Sequence, residues 1–356
     1  MPTIHENNMP YSRLGKSGLK VSKLILGCMS YGSSSMGSWT LDEAEGIEHI
    51  KLAYDLGINT FDTANVYSNG LSEVILGKAI KQHKLPRDEI VVMTKVRHPV
   101  NDEVHGQLLV RASIEERHKM RYANRYGLSR KHIFDSIKHS LERLQLDYVD
   151  VLQCHRFDYD TPIEETMQAL HDVVKAGYAR YIGMSSCWAW QFHKMQNYAR
   201  GNNLTEFISI QNFYNAVYRE EEREMVPLIQ DLGVGMIPWS PLAMGFLTRP
   251  INTAESIRGT EHKAFTNEYA GDPEKIPFIV KINERVDSIA KARGVSMAQV
   301  AVAWLLSKPF ITAPIIGTTS VDKLKDLVAG VHVKLTEDEI KSIDEPYEPR
   351  TIVGHA

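Results

Sequence analysis

Val149-Asp150-Val151-Leu152-Gln153-Cys154-His155 is a short apolar run that ends on a polar side chain, and Pro162 to Ala176 after it carries apolar positions at helical spacing. A run of this length, rich in β-branched residues, reads as a strand. The same strand-then-helix order recurs on both sides of it. Strand candidates are Leu24 to Gly27, Thr60 to Asp62, Ile90 to Lys95, Tyr148 to His155, Tyr181 to Ser186, Ile208 to Asn212, Gly235 to Ser240 and Ala313 to Gly317. Their helical partners are Leu41 to Leu56, Leu71 to Gln82, Ser129 to Leu144, Pro162 to Ala176, Ala189 to Ala199, Glu220 to Asp231, Met297 to Ser307 and Val321 to Leu327. That repeat count closes a parallel sheet on itself, so the expected fold class is α/β, a (β/α)8 TIM barrel.

Helix boundaries agree with this reading. Ser72, Ser129, Ser296 and Ser320 stand where N-caps belong, and Gly57, Gly177 and Gly233 stand just past helix ends. Tyr11 to Leu24 alternates around Gly15 and Gly18, which predicts an N-terminal β-hairpin closing the bottom of the barrel. Leu242 to Ile276 has little periodicity and reads as an extended loop at the C-terminal face. A further helix is expected from Pro277 to Ala292. No linker divides the chain, so residues 1–356 are expected to form one barrel domain. An open doubly wound sheet is disfavoured, because no GxGxxG follows an early strand and Gly70 to Lys78 lacks phosphate-loop spacing.

With 43% hydrophobic residues among 356, the chain has enough apolar surface for a large core without disulfides or metals. Lys and Arg number 41 against 44 Asp and Glu, a net charge of -3 that offers no global field for nucleic acid or anionic lipid. The basic stretch from Arg111 to Lys131 is interrupted by Glu115 and Glu116 and reads as a solvated insertion. No segment is apolar enough to insert in a membrane, and the N-terminus lacks the order of a signal peptide, so a cytoplasmic location is expected. Cys28, Cys154 and Cys187 are odd in number and widely spaced, which suits reduced thiols. Neither CxxC nor HExxH occurs, so no metal site is expected.

Barrel chemistry collects at the C-terminal ends of strands, where Asp62, Lys95 and His155 each end an apolar run and Tyr67 follows Asp62 in the next loop. Alone, each has an ordinary structural reading as a cap, a solvated lysine or a hydrogen-bonded histidine. Together they suggest proton transfer at a carbonyl. A free phenol, with a pKa of about 10, is a weak acid at neutral pH. Lys95 is expected to lower the Tyr67 pKa, Asp62 to keep Lys95 charged, and His155 to orient the carbonyl oxygen.

The chain resembles the aldo-keto reductases, in their aryl-alcohol dehydrogenase-like branch. The resemblance rests on Gly57-Ile58-Asn59-Thr60-Phe61-Asp62-Thr63-Ala64 with Tyr67, Gly70-Leu71-Ser72-Glu73, Arg180-Tyr181-Ile182-Gly183-Met184-Ser185, Gln211-Asn212, Trp239-Ser240-Pro241-Leu242 and Ile316-Gly317. It implies reversible NADPH-dependent reduction of aldehydes or ketones by the tetrad Asp62, Tyr67, Lys95 and His155. It also implies that NADP(H) meets Ser185, Ser186 and Gln211 at its nicotinamide, with Trp239 stacking on the ring. Backbone at Gly27, Met29, Ser240, Pro241, Leu242 and Gly245 would lie along the cofactor, and Gly317, Thr318, Thr319 and Lys323 would meet its adenosine phosphate. Met244, Ser186, Lys323 and Leu327 replace residues commoner in the family. Tyr31, Trp188 and Phe157 are the expected walls of a pocket for a small-molecule carbonyl substrate, aryl or otherwise hydrophobic. A second reading is an NADPH-binding regulatory subunit resembling potassium-channel β-subunits.

Overall fold

Strands of a parallel sheet are covered on both faces, which is why their sequences run apolar rather than alternating. The computed structural model describes residues 7–33, 37–251, 253 and 260–355. After a hairpin of β1 (Tyr11–Arg13) and β2 (Lys20–Ser22) come β3 (Ile25–Gly27), β4 (Thr60–Asp62), β5 (Val91–Val96), β6 (Val149–Cys154), β7 (Ala179–Ser185), β8 (Phe207–Gln211), β9 (Gly235–Met236) and β10 (Ile315–Ile316). The last eight form one sheet in the order β10-β3-β4-β5-β6-β7-β8-β9, every named pairing parallel. The ring closes between its ends, where Thr312 N donates to Met236 O at 2.8 Å and Ile315 N to Pro238 O at 2.9 Å.

Helices follow the sheet strands in chain order: α1 (Glu43–Asp55), α2 (Leu71–Gln82), α3 (Ile114–Lys119), α4 (Arg130–Leu144), α5 (Ile163–Lys175), α6 (Ala189–Gly201), α7 (Met225–Leu232), α8 (Lys263–Tyr269), α9 (Pro277–Arg293) and α10 (Met297–Ser307), with α11 (Val321–Ala329) and α12 (Glu337–Asp344) after the last strand. Ser129, Ser296 and Ser320 cap α4, α10 and α11, each accepting a backbone N–H three residues on. Gly57, Gly177 and Gly233 have φ of 90°, 83° and 70° past their helices. Ser72 is not a cap. Gly70 holds that position, and the Ser72 hydroxyl reaches instead to Cys28 O at 2.7 Å, tying α2 to the end of β3.

Four other expectations change for local reasons. The seventh strand was expected to reach Ser240 but ends at Met236, because Pro238 has no N–H and Ser240 adopts φ 52°. The eighth keeps only Ile315–Ile316, after Pro314. Glu220 to Asp231 splits into a short 3-10 turn, Glu220–Glu222, and α7, because Pro227 would clash with the carbonyl of Arg223 in a continuous helix. Leu242 to Ile276 is more ordered than its composition suggests, holding a 3-10 segment at Ala243–Thr248 and α8. Asn283 of α9 donates to Phe246 O and Arg249 O and holds that segment down.

The hairpin plugs the N-terminal end of the barrel. Leu14 is fully buried and packs with Val21, Ile25, Val91, Val151 and Ile237. Gly15, at φ 59°, lies so close to the sheet that a Cβ would sit 2.7 Å from both Gly233 O and Gly235 N. Among the described residues no single helix is long and apolar enough to cross a membrane.

Candidate active site

Because side chains alternate along a strand, Val91, Met93 and Lys95 of β5 share one face, as do Val151 and Gln153 of β6 with His155 just beyond it. Their lower members are hydrocarbon and their upper members polar. Lys95 is buried and spends all three ammonium protons: on Asp62 Oδ2 at 2.5 Å, Thr63 O at 2.9 Å and the Tyr67 hydroxyl at 3.2 Å. The other Asp62 oxygen accepts Gln153 Nε2 at 2.8 Å and Gln211 Nε2 at 3.0 Å, and Gln211 also donates to Gln153 Oε1. Gly183 makes room for this layer, since a Cβ there would lie 2.5 Å from Ser209 Oγ and 3.2 Å from Gln153 Cγ.

Tyr67 is held by the turn that follows it. Ser68, Asn69 and Gly70 all have positive φ, at 48°, 50° and 93°. The Asn69 amide reaches Gly106 O at 2.9 Å, and Ser68 packs where Gly32 has no side chain. Below the turn, the buried Glu73 carboxylate accepts Thr94 Oγ1 and pairs with Arg143 Nε at 2.7 Å, fastening α2 to β5 and α4. His155 stands edge-on to Tyr67, ring centroids 5.8 Å apart, and edge-on to His98 at 4.8 Å.

Burial and charge set the protonation states. Burial works against the Lys95 ammonium, but the Asp62 carboxylate and Tyr67 outweigh it and raise its pKa. Burial pushes the Tyr67 phenol up and the Lys95 charge only partly opposes it, so its net pKa is raised. Lys95 lowers it as expected, but burial outweighs the ammonium and sets the net direction. His155 is driven well below its ordinary pKa by burial, then by His98 and Lys95, so at neutral pH it is an uncharged imidazole with one N–H. Its Nδ1 has no hydrogen-bond partner among the described residues.

Ser185, Ser186, Gln211 and Trp239 come together at the ends of β7, β8 and the strand-like run after β9. The Ser185 hydroxyl donates to Gln211 O at 2.7 Å, and the Ser186 hydroxyl accepts Trp239 Nε1 at 3.1 Å. Trp239 is half-buried, with Phe213 at 4.7 Å and Tyr269 at 5.2 Å. Beyond it Ser240, Ala243, Met244 and Gly245 all take positive φ, a tight left-handed path on the mouth side of Trp239. Gly317 and Thr319 are exposed before the Ser320-capped N-terminus of α11, and a Cβ on Gly317 would meet nothing within 4 Å. Gly27 and Met29 are half-buried at the end of β3, Leu242 is half-buried and Pro241 buried; Thr318 accepts Ser320 N, and the Lys323 side chain is exposed. A half-buried aromatic face, a left-handed backbone run and an exposed helix start fit a nicotinamide dinucleotide. Leu327, on the inner side of α11, is core.

Of the expected substrate walls, Trp188 is half-buried at the start of α6 and Phe157 is buried against Tyr159 and Trp190. Tyr31 lies elsewhere. It is fully buried beneath α1 with its hydroxyl 2.7 Å from His49 Nδ1, so it walls no pocket.

Several residues at the mouth escaped the sequence reading. Gln153 was legible as an inward neighbour of His155 by period two. Asn212 holds Ser186 N through its Oδ1 at 2.8 Å and donates to Glu221 at 2.7 Å. His355 pairs with Glu221 at 3.0 Å and lies against Trp188, ring centroids 5.0 Å apart. Arg350 anchors the same tail by donating to Tyr269 O and Ala270 O. Arg156 and His98 complete the set. No periodicity marks a chain terminus that folds back over the barrel.

Residues 23–348 match the aldo/keto reductase family. The chain is 47% identical over 345 residues to versiconal hemiacetal acetate reductase of Aspergillus parasiticus, covering 97% of this chain and 98% of that protein. It is 47% identical over 350 residues to a Schizosaccharomyces pombe protein named as an aryl-alcohol dehydrogenase, with 97% of each covered. An aldo-keto reductase of Fusarium vanettenii is 44% identical over 359 residues, covering 99% of this chain and 95% of that protein.

Proposed function

Because this chain belongs to the aldo/keto reductase family, we propose that it reduces an aldehyde or ketone with NADPH, the proton coming from Tyr67. The observation that carries this reading is the Lys95 ammonium bridging Asp62 Oδ2 and the Tyr67 hydroxyl. When bound, the nicotinamide supplies a hydride to the carbonyl carbon. The chain supplies the rest. Tyr67 gives its hydroxyl proton to the developing alkoxide, and the phenolate left behind is stabilised by the ammonium 3.2 Å away. The raised Tyr67 pKa keeps that proton in place until the alkoxide forms. His155, uncharged, donates one N–H to the carbonyl oxygen and directs it to Tyr67. Asp62 keeps Lys95 charged and in line.

Ser185, Ser186, Gln211 and Trp239 would hold the nicotinamide, and the backbone from Ser240 to Gly245 with the start of α11 would hold the phosphates. The relatives' names speak of an aryl alcohol and a hemiacetal acetate, and an aromatic substrate agrees with Trp188 and Phe157. The test is NADPH oxidation by wild type and Tyr67→Phe over a panel of aromatic and aliphatic aldehydes, with NADPH affinity measured by fluorescence. Turnover is expected to fall by about 10²–10⁴-fold in the variant while cofactor affinity holds. Comparable turnover in the two proteins overturns the assignment.

A further inference from the structure

Arg156 follows His155 directly in sequence, so its guanidinium stands at the mouth beside the residues assigned above. It is half-buried, 5.8 Å over the ring of Trp239. One donor returns to its neighbour, Nη1 to His155 O at 2.7 Å. No described carboxylate pairs with it. Tyr269 meets it through a hydrogen bond, and Tyr67 and Cys187 lie near it, none of them a carboxylate.

Arg117 and Arg350, also half-buried, likewise donate to backbone carbonyls without a described carboxylate partner, but four other half-buried arginines have an acid. Arg87 pairs with Asp150 at 2.7 Å, Arg143 with Glu73 at 2.7 Å, and Arg219 with both Glu222 and Asp344. Arg97 has Asp158 nearby. The acids around the mouth are committed elsewhere: Asp62 to Lys95 and two glutamines, Glu221 to His355 and Asn212, and Asp158 to Leu128 N and Thr161. A guanidinium keeps its charge through any ordinary pH change and presents several donors in a planar fork. Leaving it without an anion in a partly dry site is costly, and a partner that arrives with the ligand removes that cost.

We propose that Arg156 binds a carboxylate carried by the carbonyl substrate, which makes anionic aldehydes, such as aryl aldehydes bearing an acid group, the preferred substrates. The fork matches a carboxylate bidentately. The anion is thereby held on the same side of the mouth as His155, whose backbone carbonyl fixes the guanidinium. Arg156 is a specificity residue in this reading, which rests on the carbonyl-reductase assignment.

The experiment compares 4-formylbenzoate with its methyl ester as substrates, and benzoate with benzamide as ligands in calorimetry of the NADP-loaded protein. Wild type is expected to favour the acid over the ester in kcat/KM and to bind benzoate in preference to benzamide. Arg156→Met is expected to lower the acid-to-ester ratio by about tenfold or more, through KM, and to weaken benzoate equally. Arg156→Lys should recover part of both. An equal loss on acid and ester with a displaced pH profile for kcat overturns the proposal, because Arg156 then acts through Tyr67. Equal handling of acid and ester by wild type, with no benzoate preference, also overturns it. If neither aldehyde is reduced and the wider aldehyde panel is inert as well, the reductase assignment fails, and the benzoate comparison still decides the role of Arg156.

Discussion

The two ends of the barrel use the same strands for opposite purposes. At the N-terminal end Ile25, Val91, Val151 and Ile237 meet Leu14 of the hairpin, and hydrocarbon fills the ring. A few residues up, the same faces of β4, β5 and β6 present Asp62, Lys95 and Gln153, and a closed set of hydrogen bonds fills it. The lower layer depends on volume, and one apolar residue of the right size serves nearly as well as another. The upper layer depends on exact partners, because a buried charge or amide that loses its partner has nothing else to bind. The difference explains why chemistry and stability separate along the barrel axis.

The comparison is tested most severely by Lys95→Met, which strands the Asp62 carboxylate in the upper layer. A loss of about 3–5 kcal/mol is expected in urea unfolding. Asp62→Asn combined with it should restore most of that stability and none of the turnover. A Lys95→Met protein as stable as wild type would mean that the two layers do not differ as described.

Leu14→Ala removes volume from the lower layer and is expected to cost about 2–5 kcal/mol, the range for a buried leucine. The kcat/KM for an aldehyde should not change, since the plug lies at the opposite end from Tyr67. A large fall in kcat/KM in the folded variant would show that the ends are coupled.

The effect that is smallest per step, about 1.4 kcal/mol per pH unit for one histidine, sharpens the comparison through pH. His98 and His155 at the mouth are held well below their ordinary pKa, burial first among the causes, and His132 of α4 is brought by burial to about 4. The unfolded chain takes up these protons near pH 6.5 while the folded chain does not. Stability is therefore full above about pH 6.5 and falls on acidification by about 1.4 kcal/mol per pH unit for each such histidine. For His132 the fall ends near its folded value of about 4. His132→Leu, outside the mouth, should make the slope between pH 6.5 and 4 shallower by one histidine's share. An unchanged slope would remove His132 from the account.

Most of the barrel was legible because each strand is a buried run with a helical segment after it. Where Pro227, Pro238 or Pro314 interrupts, the elements shorten, and the period alone did not register that local stop. Ser72 misled for a related reason: the helix starts one residue earlier, after Gly70, which leaves Ser72 inside the first turn with its hydroxyl donating to the buried Cys28 O. At the mouth, Asp62, Lys95 and His155 were visible as polar ends of apolar strands. Tyr31 looked like a wall residue from its place after β3, yet it turns inward to His49.

The amino-acid sequence by itself determined the repeat, the strand ends that carry polar groups and the family to which the chain belongs, because these follow from local pattern and side-chain type. Tertiary structure alone decided the direction of the Tyr67 pKa, the neutrality of His155, the placing of the Arg156 guanidinium without a carboxylate partner among the described residues and the return of His355 to Trp188. Those depend on burial and on contacts between residues far apart in the chain. Desolvation and Coulomb energy are set by what surrounds a group in space, and nothing in the order of residues states that distance.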